Sequence, residues 1–206
     1  LVAGRLAMSA GIGIFRSVPD YRGSNVGKNA GALFQWTPRD NVEILPFAVV
    51  MKNRNHGQQP LLYSAGAFLP PKYDRSVFFG QNWADRKSHD LNFGVVARAT
   101  LWTNWRLQTG IFRSTQDVSQ NYLVFFRNVQ LDGTADLDIL RYPAHRSAST
   151  SGEVRASGIF TDGAWRHTVH IAVRGRISDH IFGGGNTVSF GQTFIGVSRP
   201  VPEPTF

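Results

Sequence analysis

Leu91-Asn92-Phe93-Gly94-Val95-Val96-Ala97-Arg98-Ala99-Thr100-Leu101-Trp102-Thr103-Asn104-Trp105-Arg106-Leu107-Gln108-Thr109-Gly110-Ile111 is the stretch on which the fold turns. In an extended backbone successive side chains point to opposite faces. Leu91, Phe93, Val95, Ala97, Ala99 and Leu101 therefore share one face, and Asn92, Gly94, Val96, Arg98 and Thr100 the other. Beyond the two-residue turn Thr103-Asn104, Trp105, Leu107, Thr109 and Ile111 oppose Arg106, Gln108, Gly110 and Ser114, with Phe112 interrupting the polar set. Such alternation marks strands with one apolar and one polar face. Trp102 and Trp105 bracket the turn.

The same design recurs outward from this hairpin. Trp36 precedes the turn Thr37-Pro38-Arg39-Asp40-Asn41, and Phe160 and Trp165 bracket Thr161-Asp162-Gly163-Ala164. Segments 2–16, 30–37, 42–52, 149–160 and 165–176 read as further strands. In the first, Leu6, Met8, Ala10, Ile12 and Ile14 oppose Arg5, Ala7, Ser9, Gly11 and Gly13; in the last, Trp165, His167, Val169, Ile171 and Val173 oppose Arg166, Thr168, His170, Ala172, Arg174 and Arg176. Segment 42–52 alternates poorly. Pro46 lies within it and cannot donate to a ladder, so a bulge or local break is expected there. The intervening stretches Ser17–Asn29, 53–88, 116–147 and 177–206 read as long polar connections, one of them carrying Gly183-Gly184-Gly185. Short turns ringed by aromatics at one end and long loops at the other describe a transmembrane β-barrel. The expected fold is all-β: an antiparallel transmembrane β-barrel segment of about seven meandering strands, with short periplasmic turns and long extracellular loops. Such a set with open edges cannot satisfy its backbone in lipid, so residues 1–206 are expected to be a partial barrel domain, an arc of a larger barrel. Leu1 opens in the middle of an apolar pattern, which fits a fragment of a longer protein.

Composition agrees. Charged residues make up 17% of the 206 residues, below the roughly one quarter usual in globular proteins. No apolar run approaches the roughly 20 residues of a membrane helix, so contact with lipid must be made by strands. There is no cysteine, which excludes thiol chemistry, disulfides and cysteine metal sites. The net charge is +8, but the basic residues are dispersed through strand-like segments with no basic run. That argues for a cationic face and against a nucleic-acid partner.

Several stretches resemble the barrel of TonB-dependent outer-membrane receptors of the ferric-siderophore type. They are Gly31-Ala32-Leu33-Phe34-Gln35-Trp36-Thr37-Pro38-Arg39-Asp40 with Val42-Glu43-Ile44-Leu45-Pro46-Phe47; Leu69-Pro70-Pro71 with Phe78-Phe79-Gly80-Gln81-Asn82-Trp83-Ala84; Gly110-Ile111-Phe112-Arg113-Ser114; and Gly183-Gly184-Gly185 through Phe190-Gly191 to Pro202-Glu203-Pro204-Thr205-Phe206. The resemblance implies a barrel of about 22 strands with a plugged lumen. It also implies uptake of an iron-siderophore or similar small ligand, TonB-coupled energy, a plug domain and a TonB-contact motif in other parts of the full-length protein, outer-membrane lipid around the wall, and no enzymatic activity.

The candidate ligand-binding residues follow from the faces. Arg5, Arg98, Arg106, Arg155, Arg166, His170, Arg174 and Arg176 share the polar side and form a cationic lining suited to anionic chelates or to plug carboxylates. Arg174, Arg176, His170, Arg98 and Arg155 are the ligand candidates, Arg174 and Arg176 lying toward the long loops; Arg106 and Arg166 lie toward the short turns, where phosphate or plug is the expected neighbour. Tyr63, Tyr73 and Trp83, with Asn82, Phe78 and Phe79, sit in the long connection and could stack on an aryl ligand or hold the loop's own shape. Trp36, Trp102, Trp105, Phe160 and Trp165 are the expected membrane-interface aromatics. The six histidines show no metal-ligand spacing, and Asp132, Asp136 and Asp138 do not complete a calcium ladder, so no metal and no cofactor is expected. The alternative reading is a soluble β-sandwich that binds glycans or other polymers through loop aromatics, which requires two stacked sheets.

Overall fold

The structure is a computed structural model and describes residues 5–19 and 23–204. It contains ten strands: β1 (Leu6–Ser17), β2 (Ser24–Arg39), β3 (Val42–His56), β4 (Leu61–Ser64), β5 (Arg86–Trp102), β6 (Trp105–Val129), β7 (Thr134–Tyr142), β8 (His145–Asp162), β9 (Trp165–Ile181) and β10 (Asn186–Phe194). Seven of them, β1, β2, β3, β5, β6, β8 and β9, form one antiparallel meander in that order. This is the seven-stranded antiparallel wall the alternation predicts, the arc of a β-barrel. Val2, Ala3 and Gly4 of the first segment, the Pro19-Asp20 turn signal and Thr205-Phe206 fall wholly or partly outside the described residues.

Register fixes the faces, since residues directly opposite on neighbouring strands lie on the same side. One row across the wall reads Leu6, Trp36, Ile44, Ala97, Thr109, Val154, Val173. A neighbouring row on the other face reads Ser9, Leu33, Phe47, Gly94, Phe112, Ser151, Arg176. The aliphatics of the first face meet no second sheet: Ile12 is 90% exposed, Ile171 60% and Val173 75%. A sandwich would bury them, so that alternative fails on architecture. A barrel wall instead turns them to hydrocarbon and the other face to the bore. Among the described residues β1 pairs only with β2, and β9 only with β8.

The short turns close as expected. Strands run up to Asp40-Asn41, Thr103-Asn104 and Gly163-Ala164. Gly163 takes φ 55° at the first central position of its two-residue hairpin, where an L side chain would be strained. A bulge between Thr100 and Trp102 sets Trp102 opposite Trp105. The Trp105 ring meets Phe160 edge to face at 5.7 Å, over Gly158, where a Cβ would come within 3.0 Å of the indole.

Pro46 does not bulge its strand. β3 stays in continuous register with β5 through Pro46↔Val95. Its pairing with β2 lapses between Phe47 and Ile44, and the bulge there lies farther on, between Trp36 and Arg39. The missing N–H is thus accommodated by a local gap in the ladder on one side. Phe112 breaks the polar set because it pairs with Phe47 in the bore, ring centroids 5.8 Å apart, and Gly94 and Gly110 leave it space.

The long connections are the main correction. β2 begins at Ser24, β3 continues to His56, β5 starts at Arg86, β8 at His145, and β9 runs to Ile181. β6 has 25 residues, whereas 9–11 tilted residues cross a bilayer. Its first part pairs with β8 as far as Val118; from Asn121 to Arg127 it pairs with β7. β10 joins the far side of β7, and β4 adds in parallel to β6. The stretches read as loops at 53–88, 116–147 and 177–206 therefore contain a second small sheet on the long-loop side of the wall.

This loop layer holds the buried core. Phe79, Tyr122, Val124, Phe126, Val129, Ala135, Leu137, Ile139, Ile195 and Val201 pack together. Phe79 meets Phe126 edge-on at 5.3 Å, and Tyr73 meets Phe79 at 5.2 Å. Segment 199–203 is strapped across it: Gln81 Nε2 donates to the Arg199 carbonyl (2.8 Å), the Val201 amide to Gln81 Oε1 (3.0 Å), Trp83 Nε1 to the Val201 carbonyl (2.8 Å), and the Tyr122 hydroxyl to Glu203. At the base, the buried Asp85 carboxylate accepts Arg54 Nε at 2.7 Å and Nη2 at 2.6 Å on one oxygen, and lies 2.6 Å from His56 Nδ1 on the other. This contact fastens the end of the 57–85 connection to β3.

Phe126→Ala is expected to cost the loop layer about 3–5 kcal/mol, because it empties the centre of this core. Hydrogen exchange of β7 and β10 amides will then speed up about a hundredfold or more, while β2 and β3 stay protected. Equal acceleration throughout would show that the two layers are one cooperative unit. Asp85→Asn removes a charge-assisted contact and should cost about 1–3 kcal/mol, seen as faster proteolysis within 57–85. An unchanged cleavage rate would deny Asp85 its fastening role.

Candidate functional site

The bore face of the wall and the loop layer beyond it form the candidate ligand path. Toward the short turns, Glu43 of β3 joins two neighbours: Gln35 Nε2 donates to its Oε1 at 2.7 Å, and Arg98 Nη1 lies 3.2 Å from its Oε2. Register carries this row on through Gln108 to Arg155. Arg155 Nη2 lies 2.5 Å from Glu153 Oε1 on the same strand. Arg98 and Arg155 are thus each paired with a wall carboxylate, about half exposed, and such exposed pairs stabilise by roughly 1 kcal/mol or less. Arg5 donates to the Pro38 carbonyl at 2.9 Å and lies 3.8 Å from Asp40, at the short-turn end.

Toward the long loops the bore becomes serine-rich. Ser147, Ser149 and Ser151 alternate along β8 and face Ser178, Arg176 and His180 of β9. Arg176 Nε donates to Ser149 Oγ (2.8 Å) and Ser178 Oγ (3.1 Å), and His180 Nδ1 lies 3.1 Å from Ser147 Oγ. Asp90, Asn92, Ser114 and Gln116 of β5 and β6 complete an open polar recess with them. Arg174 stands opposite Glu153 in the register, and beside Phe112, Ser151 and Arg176. His170 Nδ1 lies 2.8 Å from Ser157 Oγ, nearer the short turns. Of the candidates read from the sequence, the structure sets Arg174 and Arg176 near each other beside Phe112 and Ser151, with Arg176 reaching into the serine-rich recess, and keeps Arg98, Arg155 and His170 in rows nearer the short turns.

The three loop aromatics separate. Trp83 packs edge-on against Tyr122 at 5.1 Å and Tyr73 against Phe79, both against the loop core. Tyr63 is 53% exposed, its ring 5.8 Å from Phe125. Asp132, Asp136 and Asp138 diverge. Asp132 Oδ1 accepts the Thr134 amide (2.9 Å), Asp136 accepts Asn128 Nδ2 (2.7 Å), and Asp138 pairs with Arg127. The Thr134 amide holds the Asp132 carboxyl below its ordinary range, and the Ser76 hydroxyl and amide do the same for Asp74. Both carboxylates shape tight turns.

Sequence reasoning missed the serine row of β8 and the Asp85 fastening. The alternation Ser147, Ser149, Ser151 was available as a signal, but it straddles the expected boundary between the 116–147 connection and the strand 149–160. Nothing local marks Asp85, whose partners are 31 and 29 residues away.

No family model matches this chain, and no curated protein matches it. Its fold is similar to solved structures. One is that of the FpvAI–pyocin S2 complex (TM-score 0.73, 12% identity, over 94% of this chain and 26% of that one). Another is the ferripyoverdine receptor of the outer membrane of Pseudomonas aeruginosa bound to ferripyoverdine (TM-score 0.70, 13% identity, 94% and 26%). A third is BauA, the ferric preacinetobactin receptor from Acinetobacter baumannii (TM-score 0.70, 15% identity, 96% and 31%). The chain spans about a quarter to a third of the length of these proteins. Two of them are named as receptors, the ferripyoverdine receptor of the outer membrane and the ferric preacinetobactin receptor, and the likeness at this identity is one of fold: an arc of their type of β-barrel.

Proposed function

We propose that this chain is a sector of the wall of an outer-membrane receptor that takes up iron-siderophore-type ligands with TonB-coupled energy. One observation carries the reading. The wall strands other than β3 divide into an aliphatic face and a face of mainly small and polar residues that includes Arg98, Arg155, Arg174 and Arg176, and an ordered loop layer lies on the long-loop side of the wall, toward which the serine-rich recess lies. That combination suits a protein that captures a polar ligand outside and passes it through a wet bore. The solved structures of similar fold support it, as two of them are receptors for ferric chelates. In this reading a plug domain and a TonB-contact segment belong to the same full-length protein, and Trp36, Trp102, Trp105, Phe160 and Trp165 sit at the periplasmic interface.

Arg174 and Arg176 are the proposed ligand contacts. Their guanidinium groups can meet carboxylate, catecholate or hydroxamate oxygens in a planar, two-point fashion. Summed over the bore, charge of one sign raises the local concentration of an anionic chelate. Tyr63 is the loop aromatic still open to stack on an aryl group; Tyr73 and Trp83 act by holding the loop layer in shape.

The full-length protein, expressed in a strain lacking its own ferric-siderophore receptors, is expected to import labelled iron delivered by at least one chelate from a mixed panel. Import is expected to saturate and to stop when TonB is deleted. Import that continues without TonB, or none with any chelate, overturns the proposal. Arg174→Ala combined with Arg176→Ala is expected to raise the KM for uptake about tenfold at equal surface abundance, as loss of charge-assisted contacts predicts. An unchanged KM would remove both from the ligand path.

A further inference from the structure

The outward face carries a feature that ligand transport does not use. On the long-loop side of the aliphatic belt, Lys28 of β2 stands directly opposite Lys52 of β3. Arg16 of β1, opposite Val26, is the diagonal neighbour of Lys28. Directly opposed residues have Cβ atoms roughly 5 Å apart and diagonal ones roughly 7–8 Å, and like charges so placed repel. All three side chains are exposed, and none has an acidic partner among the described residues. The nearest cation along β3, Arg54, is already held by Asp85. The acids of this face lie on other strands, Asp117 beside Arg146 and Asp179 on β9.

Parity puts these cations on the hydrocarbon side. They continue the set Ile12, Ile14, Ala30 and Val50, in which Ile12 is 90% and Ile14 75% exposed. Cations standing at the upper edge of an apolar track sit where headgroup phosphates lie above acyl chains. We infer that Arg16, Lys28 and Lys52 bind the phosphate-bearing headgroup of an outer-leaflet lipid, whose acyl chains run down the Ile12–Ile14–Ala30–Val50 track. An anion seated between Lys28 and Lys52 offsets a repulsion that the bare wall leaves uncompensated. A soluble phosphate would satisfy the charges but not the track, which is why a lipid is the occupant assigned. The inference rests on the membrane orientation of the wall and not on what the receptor transports.

The test uses the intact outer-membrane protein that carries this arc, delipidated in neutral detergent, with lipid retention read by native mass spectrometry. The probes are a phosphorylated glucosamine lipid, the same lipid dephosphorylated, and inorganic phosphate. The expected result is retention of the phosphorylated lipid, with roughly tenfold weaker retention of the dephosphorylated one and of the phosphorylated one by Lys28→Gln/Lys52→Gln. Lys72→Gln, at an exposed loop lysine, is expected to bind like the wild type. Melting provides a second readout. Without lipid the double variant should melt at or above the wild type, since a repulsion is gone; with phosphorylated lipid only the wild type should gain. Equal retention of both lipids, an unchanged double variant, an equal loss in Lys72→Gln, or displacement by inorganic phosphate at matched concentration each overturns the inference. A protein that binds the lipid but imports no iron leaves it standing and refutes only the transport reading.

Discussion

Every backbone N–H and C=O that enters hydrocarbon must find a partner within the protein, because lipid offers none. The wall meets this demand by seven strands in nearly unbroken antiparallel register. The rest of the architecture follows from it. Once the strands are locked side by side, parity assigns each residue to lipid or bore, and a slip of one residue would exchange the two sets entirely. Even Pro46 is handled within this constraint: its strand keeps full register on one side and forgoes pairing locally on the other. The outer edges of β1 and β9, unpaired among the described residues, belong in a barrel to further strands.

A bilayer limits how far that regime extends. Strands of 15 to 25 residues outrun the hydrocarbon thickness, and beyond it a different solvent sets the rules. In the wall, aliphatics face outward and gain by contact with lipid. In the loop layer, Phe79, Phe126, Leu137 and Ile139 face one another and gain by leaving water, as in any water-exposed domain. β6 lives in both, pairing with β8 below and β7 above, which couples the ordered outer layer mechanically to the wall. Asp85, fastened to Arg54 and His56, makes a second tie at the same boundary.

The charges of the molecule divide along the same boundaries. In the lower bore Arg98 and Arg155 are paired with Glu43 and Glu153, the first pair tying β5 to β3 and the second lying within β8. In the upper recess Arg176 is held, among the described residues, by serine hydroxyls and no carboxylate, so its charge stays available. On the outer rim Arg16, Lys28 and Lys52 have no acidic partner among the described residues. Position relative to membrane and bore gives each group its role.

The primary structure alone determined the wall: strand alternation at period two, tryptophans beside the short turns, and the shared face of Arg98, Arg155, Arg174 and Arg176. These properties are local, and neighbouring residues express them without knowledge of the rest of the chain. It could not reveal the loop layer, because the residues that build it carry no clean period. Tyr122-Leu123-Val124-Phe125-Phe126 is apolar on both faces, since one side packs on the core and on the other Phe125 meets Tyr63. Tertiary structure alone decided that Tyr73 and Trp83 support the loop core, that Asp85 reaches back to β3, and that Lys28 meets Lys52. Lys28 meets Lys52 across 24 positions and Trp83 reaches Val201 across 118, contacts that only the folded register brings together.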